Sequence, residues 1–339
     1  MAARRAFITG LAGTRLLDAE RAFLRETRPF GLILFKRNIQ DKAQATELVR
    51  EALRELAPDA AVLVDQEGGR VQRFGPPNWP AYPPGATFGK LYDRDRKLGL
   101  AAAKLGARLM ASDLLPLGIN TDCVPLADVP VSGADRVIGD RAYGDTPGKV
   151  AAIAGAIAEG LAAGGVLPVL KHIPGHGRAN ADSHLKLPVV HADRATLEGT
   201  DFAAFRPLKR LPLGMTAHVV FTAIDPVRPA TTSATMIGEV IRGLIGFDGL
   251  LMGDDISMGA LSGSIAERSR ASLAAGCDLV LHCNGQMDEM RAVASEAPEL
   301  AGEAKRRADA ALAVRKSPSA IDLGAARREF ASMMTERMA

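Results

Sequence analysis

The stretch Lys171-His172-Ile173-Pro174-Gly175-His176-Gly177-Arg178-Ala179-Asn180-Ala181-Asp182-Ser183-His184 gathers three of the chain's six histidines around a lysine and an aspartate. Imidazole titrates near neutral pH, so a histidine oriented by a carboxylate is a working acid/base pair. Asp182 and His184 have that makeup. Two apart in an extended segment, their side chains point to one side, where the carboxylate can orient the ring. An Asp-x-His pair alone is a weak signal, because most such pairs are surface polar residues. Its setting strengthens it. Gly175 and Gly177 punctuate the backbone, and loops of this length are usually functional or disordered. The composition is not that of a disordered segment.

Two further stretches carry chemistry. In Met252-Gly253-Asp254-Asp255-Ile256-Ser257-Met258, a carboxylate can serve as nucleophile, cation stabiliser or metal ligand. We read Asp254 as the chemical group and Asp255 as the N-cap of a following helix. In Val64-Asp65-Gln66-Glu67-Gly68-Gly69-Arg70-Val71-Gln72-Arg73, Asp65 ends a strand, and Asp and Arg together suit a polyhydroxyl or anionic ligand through charge-assisted hydrogen bonds. A salt-bridged loop is an equally good reading of those residues alone, and Arg141 in Gly139-Asp140-Arg141-Ala142-Tyr143-Gly144 has the same two readings. His172, His176, Asp182 and His184 are all metal-ligand types. Their spacing is not HExxH, and Lys171 beside them repels a cation, so no metal is expected.

These groups need elements to hold them. Eight short apolar runs recur, at 6–8, 32–35, 61–64, 119–124, 166–170, 213–216, 250–252 and 279–281. Helix-like stretches lie between them, at 41–56, 95–115, 148–163, 232–244 and 265–275. Strand alternating with helix implies parallel pairing through right-handed crossovers. Eight such units predict an α/β fold, a single TIM-type (β/α)₈ barrel. Asp65, Lys171, His172, His218, Asp254 and His282 all fall at or just after a strand's C-terminal end, the face on which barrels build their sites. An open doubly wound sheet would gather them at one switch point instead. The loop carrying Gly75-Pro76-Pro77-Asn78-Trp79-Pro80 and Tyr82-Pro83-Pro84-Gly85 is stiff and suited to wall a cleft. The expectation is one catalytic domain over 1–339, with 317–339 a polar helical tail.

The bulk numbers agree. A chain of 339 residues with a 47% hydrophobic share can bury a large core, and 42 basic against 39 acidic residues leaves a net charge of only +3. That balance gives no reason to expect nucleic acid or membrane as partner. Cys123, Cys277 and Cys283 are odd in number, in apolar contexts and without CxxC spacing, as expected of thiols in a reducing compartment. The apolar segment after the basic Met1-Ala2-Ala3-Arg4-Arg5 is broken by Thr9, Gly10 and Gly13, so no signal peptide or span is expected. The expectation is a cytoplasmic protein. With no GxGxxG or Walker pattern, no nucleotide cofactor is expected.

Taken in order, Gly31-Leu32-Ile33-Leu34-Phe35-Lys36-Arg37-Asn38, Asp-Gln-Glu-Gly-Gly-Arg-Val from Asp65, Lys-His-Ile-Pro-Gly-His-Gly from Lys171, Asp182-Ser183-His184, Ala217-His218-Val219 and Asp254-Asp255-Ile256-Ser257-Met258 resemble the β-N-acetylhexosaminidase branch of family 3 glycoside hydrolases. The likeness runs from residue 31 to residue 258, and the motifs together are highly specific. Ile173 stands where Phe is common and Gly253 where Ser often precedes the first Asp; neither departure removes a functional side chain.

The resemblance implies a retaining hydrolase of the single-domain cytoplasmic kind that recycles peptidoglycan fragments, needing no cofactor and no oligomer. It implies Asp254 as nucleophile and His184 as acid/base paired with Asp182, with Asp65, Arg73, Arg141, Lys171 and His172 holding the sugar. A glycosyl-enzyme ester requires an ionised carboxylate at the anomeric carbon and a proton donor at the leaving oxygen. A histidine suits the second task with little adjustment, since its reference pKa is about 6.5. The Gly-flanked loop lets His184 swing in with substrate. His176 is read as structural. A phosphorylase of the same family is the nearest rival, because a histidine acid/base does not repel incoming phosphate as a carboxylate would. A muropeptide-binding protein without catalysis would not require Asp182, His184 and Asp254 together.

Overall fold

The computed structural model describes residues 4–335. Eight parallel strands form one sheet: β1 (Arg5–Gly10), β2 (Pro29–Leu34), β3 (Ala61–Val64), β4 (Thr121–Asp122), β5 (Leu167–Ile173), β6 (Leu213–Thr216), β7 (Leu250–Met252) and β8 (Val280–His282). Their lateral order is β7-β6-β5-β4-β3-β2-β1-β8. A parallel bridge from Met252 to Leu279 joins the two ends, and the Leu251 carbonyl accepts the Asp278 amide at 2.8 Å. The sheet closes on itself, as the eightfold alternation predicts.

These runs make strands because both faces are covered. All of β2 and β3 is buried, which is why they read as continuous apolar runs. Outside lie α1 (Asp18–Thr27), α2 (Lys42–Glu55), α3 (Gly85–Arg94), α4 (Arg96–Leu114), α5 (Pro147–Ala163), α6 (Arg194–Gly199), α7 (Ile265–Ala275), α8 (Met287–Glu296), α9 (Gly302–Ala313) and α10 (Leu323–Thr335). Local chemistry sets their ends. Asp41 accepts the Gln44 amide at the start of α2, and Ser264 and Glu267 cap α7 reciprocally. Helix α7 stops at Gly276, whose φ of 112° suits glycine.

The stretch expected as a helix over 232–244 begins later and is π-helical, Met236–Ile245. The tail helix is also shorter than 317–339. As α10 it lies on α4, and Arg327 pairs with Asp113 at 2.6 Å, which in turn accepts the Tyr82 hydroxyl at 2.6 Å. Met1, Ala2 and Ala3, and residues 336–339, lie outside the described residues. Among the described residues no helix is long and apolar enough to cross a membrane. All three cysteines are buried free thiols.

Candidate active site

Asp65 leaves the end of β3 and begins a small hairpin, Gln66–Gly68 against Val71–Gln72. Gly68 and Gly69 turn it at φ 96° and 56°. A Cβ on Gly68 would come within 2.3 Å of the Pro83 carbonyl, so a side chain has no room there. Beneath the turn, the buried Gln66 amide oxygen accepts the Arg73 and Phe74 amides at 3.1 and 3.0 Å. That fixes the segment carrying Arg73 to the strand end.

Five charges then interlock across three connections. The Asp65 carboxylate accepts from Arg73 and from Lys171, each at 2.9 Å. Lys171, delivered by β5, also pairs with Glu67 at 2.7 Å. Arg141 grips Glu67 with two parallel hydrogen bonds of 2.8 Å. Burial would raise the two carboxyls, but Lys171 with Arg73 holds Asp65 well below the usual range, and Lys171 with Arg141 lowers Glu67. Burial would likewise lower Lys171, yet Asp65 and Glu67 push it above its usual range. Asp65, Glu67, Arg141 and Lys171 therefore stay ionised at neutral pH.

The end of β5 also places His172. Its Nδ1 meets Asp128 at 2.7 Å, and the same carboxylate accepts the His176 backbone amide at 2.7 Å. Asp128 has no exposed surface. Burial would raise it, but the His172 ring and the His176 amide hold it down at about 2. Burial first, and then neighbouring His172, push His176 down to about 4, so it is neutral in the working range. Its Nε2 lies 3.0 Å from the Ser183 hydroxyl. His176 therefore links the His172–Asp128 pair to the loop bearing Asp182 and His184.

Asp182 and His184 do meet, but on a turn and not an extended segment. One Asp182 oxygen accepts both the His184 amide at 2.9 Å and its ring Nδ1 at 2.8 Å. An ionised carboxylate only accepts, so Nδ1 carries the proton and Nε2 remains for exchange. Burial would raise Asp182, but the His184 amide and ring lower it. The pair sits at the mouth, with His184 67% exposed. Backbone bonds from Gly259 to the His184 carbonyl and from Ala260 to the Ser183 carbonyl, at 3.2 and 3.1 Å, dock this loop onto the one after β7.

Asp254 lies deeper, just past β7, and accepts the Asp255 amide at 2.8 Å. Burial would raise its pKa, but the His172 and His218 rings, the Asp255 amide and Lys171 together bring it below the usual carboxylate value. Asp255 is not a helix N-cap. It accepts the Ser257 amide and hydroxyl at 3.1 and 2.8 Å and the Cys283 amide at 3.1 Å. The loop before α7 runs on to Ser264, which takes the capping role.

One cavity of about 260 Å³ is lined by Asp65, Arg73, Arg141, Lys171, His172, Asp182, His184 and Asp254, the full set expected from the sequence. Phe35, Met215, Met258 and Leu281 supply its apolar wall. Glu67 and Asp128 were not anticipated. Glu67 is two residues from Asp65, a spacing that puts both on one side, and Asp128 is an acid inside an apolar run. Those were the available signals.

His218 and His282 occupy strand ends as expected but are not among the residues lining the cavity, His218 bonding Thr231 at 2.7 Å and His282 bonding Glu289 at 3.0 Å. The Pro-rich loop does not wall this cavity. Pro76, Pro77 and Trp79 line a neighbouring hollow instead, with Trp79 edge-on to Phe74 at 4.9 Å. Among the described residues no three His, Cys, Asp or Glu side chains converge as metal ligands.

Residues 9–313 match the model of the glycosyl hydrolase family 3 N-terminal domain. The chain is 44% identical over 280 residues to a protein named beta-hexosaminidase from Alkalilimnicola ehrlichii, covering 81% of this chain and 79% of that one. With a second so named, from Aromatoleum aromaticum, it shares 36% over 316 residues, covering 92% and 87%. NagZ from Neisseria gonorrhoeae, solved in complex with N-trifluoroacetyl-D-glucosamine, superposes with a TM-score of 0.85 at 31% identity, covering 98% of this chain and 97% of that one. A barrel of this closure, these motifs at its strand ends and these relatives agree: the chain is an enzyme of glycosyl hydrolase family 3.

Proposed function

We propose that the protein is a retaining β-N-acetylhexosaminidase that releases terminal, non-reducing β-linked N-acetylglucosamine from peptidoglycan fragments such as GlcNAc-anhydroMurNAc and its peptides. It acts in the cytoplasm, as one catalytic domain, during cell-wall recycling. The single observation that carries this reading is the presence of two unlike groups in one cavity: a half-buried Asp254 held below the usual carboxylate range, and an Asp182–His184 pair whose histidine is exposed.

In the first step the Asp254 carboxylate bonds to the anomeric carbon while the glycosidic C–O bond breaks. His184 Nε2 gives its proton to the departing oxygen. In the second step His184 takes a proton from water, the water oxygen bonds to the anomeric carbon, and the ester to Asp254 breaks. Two displacements restore the β configuration. Asp65, Arg73, Arg141, Lys171 and His172 hold the sugar hydroxyls. The ionised state of Asp65, Arg141 and Lys171 supports this role, because charged donors and acceptors make the stronger hydrogen bonds to a polyhydroxyl ligand. The N-acylated glucosamine seen on the Neisseria relative supports the choice of sugar.

Assay with a chromogenic β-N-acetylglucosaminide, with and without phosphate, tests the reading. Release independent of phosphate is expected. Release that requires phosphate and yields a sugar 1-phosphate would assign a phosphorylase, and no release would leave a binding protein.

A further inference from the structure

A groove of about 740 Å³ opens at the opposite end of the barrel, where residues around Val166, Pro212 and Gly249 lead into β5, β6 and β7 and where α5 and α9 pass. Its wall has two characters. Ala158, Val166, Leu208, Leu211, Ala311 and Val314 make an apolar side, and Val314 is left 53% exposed. Lys209, Arg210, Arg306, Arg307, Arg315 and Lys316 face the groove against only Asp248 and Glu159. Arg306 and Arg307 are also paired outside the lining, with Glu303 and Asp278 at 2.8 and 3.0 Å. The cations left are Lys209, Arg210, Arg315 and Lys316, which line one groove.

Both carboxylates are already engaged. Asp248 is held by Arg306 and Arg307 at 2.7 and 3.0 Å, and Glu159 by Lys104 at 2.8 Å. Among the described residues Lys209, Arg210 and Lys316 make no ion pair, and Arg315 buries its Nη1 without a hydrogen-bond partner. A surface lysine without a partner is ordinary. A guanidinium nitrogen without one is less ordinary, and it leaves Arg315 with unused donor capacity beside the groove. Cations favour helix C-termini, which accounts for Arg315 and Lys316 just beyond α9. It does not account for Lys209 and Arg210, nor for the apolar wall.

Ligand sites are typically clefts of roughly 300–1,000 Å³, mostly apolar, with a few convergent polar groups. This groove has that makeup, with the convergent groups all of one sign. We propose that it binds a small amphipathic anion, an apolar body bearing a phosphate, sulfonate or carboxylate. The anionic head meets the Lys209, Arg210, Arg315 and Lys316 group, and the body lies against Val314, Leu208 and Leu211. None of these residues belongs to the catalytic cavity, so occupancy and turnover are separately measurable.

Fluorescence titration of the full chain with 8-anilinonaphthalene-1-sulfonate tests this. One saturable site per chain is expected, unmoved by saturating N-acetylglucosamine. Binding should weaken about tenfold or more in Lys209→Glu/Arg315→Glu, the loss of charge-assisted contacts, with melting temperature and turnover unchanged. Lys209→Gln/Arg315→Gln removes the charge more gently and gives the same reading if the reversal impairs folding. Absent or non-saturable binding, equal binding in the variants, or displacement by N-acetylglucosamine overturns the proposal. Adsorption to phosphatidylglycerol vesicles without a saturable dye site would also overturn it, assigning the patch to a membrane surface.

Discussion

Glu67 and Lys171 form an ion pair of 2.7 Å with side chains only 5% and 3% exposed, and each is tied to a second charge in the same cavity. Removing one partner of a buried pair leaves the other uncompensated, at a cost of about 3–5 kcal/mol. Glu67→Ala should lose stability on that scale in urea denaturation and raise KM. Glu67→Gln, which keeps the acceptor oxygen, should lose less. The pH dependence has a definite sign. A carboxylate lowered in the folded state stabilises above its unfolded pKa, and that stability is lost as pH falls through the folded value. The wild type should therefore weaken on acidification below about pH 4.3 more steeply than Glu67→Gln.

His176 offers a second pH test at a higher range. Its pKa falls from 6.5 to about 4 on burial, so the unfolded chain takes up a proton first and stability declines as pH drops from 6.5 towards 4. The shift corresponds to about 3 kcal/mol. Thermal melts of His176→Asn should show a flatter slope across that window. An unchanged slope would mean that the ring is hydrated and not buried.

Ser183→Ala removes the hydroxyl that His176 meets at 3.0 Å. If that contact positions the acid/base loop, kcat should fall about tenfold, on the order of one lost hydrogen bond, with KM little changed. A rise in KM alone would place Ser183 in substrate binding.

The roles of His184 and Asp254 separate by leaving group. General acid catalysis typically contributes about 10²–10⁴-fold, so His184→Ala should cost near that with a disaccharide. With a nitrophenyl leaving group, glycosylation should lose much less, and slow deglycosylation should let an intermediate accumulate. Asp182→Ala should resemble a milder His184→Ala. Asp254→Ala should abolish turnover on both substrates without a burst. Equal losses in His184→Ala and Asp254→Ala on both substrates, with no burst in either, would show the assignment to be wrong.

The proposed double displacement also fixes the stereochemistry. Proton NMR of early product should show the β-anomer first, and initial α-anomer would sink the covalent route. Activity should survive exhaustive chelation, because Lys171 adjoins the histidine cluster; loss restored by Zn²⁺ would revive a metallohydrolase.

Most of the strands were legible because a strand buried on both faces tends to be a continuous apolar run, a property written in consecutive residues; β4, Thr121–Asp122, is itself polar and was legible only from the apolar residues that flank it. So was the polarity of the site, since Asp65, Lys171, His172 and Asp254 follow such runs directly. Asp182 and His184 were legible as a pair, but their backbone was not. A carboxylate that accepts the amide two residues on makes a turn, and periodicity does not register that competition. What only the tertiary structure decided are the partnerships. Arg141 and Glu67 are 74 positions apart, Lys171 and Asp65 106, and His172 and Asp128 44. Barrel closure brings these residues together, and no local pattern carries that distance. Whether Asp255 capped a helix likewise depended on where the chain after β7 could turn. That was set by its bond to the Cys283 amide beyond β8, 28 residues away.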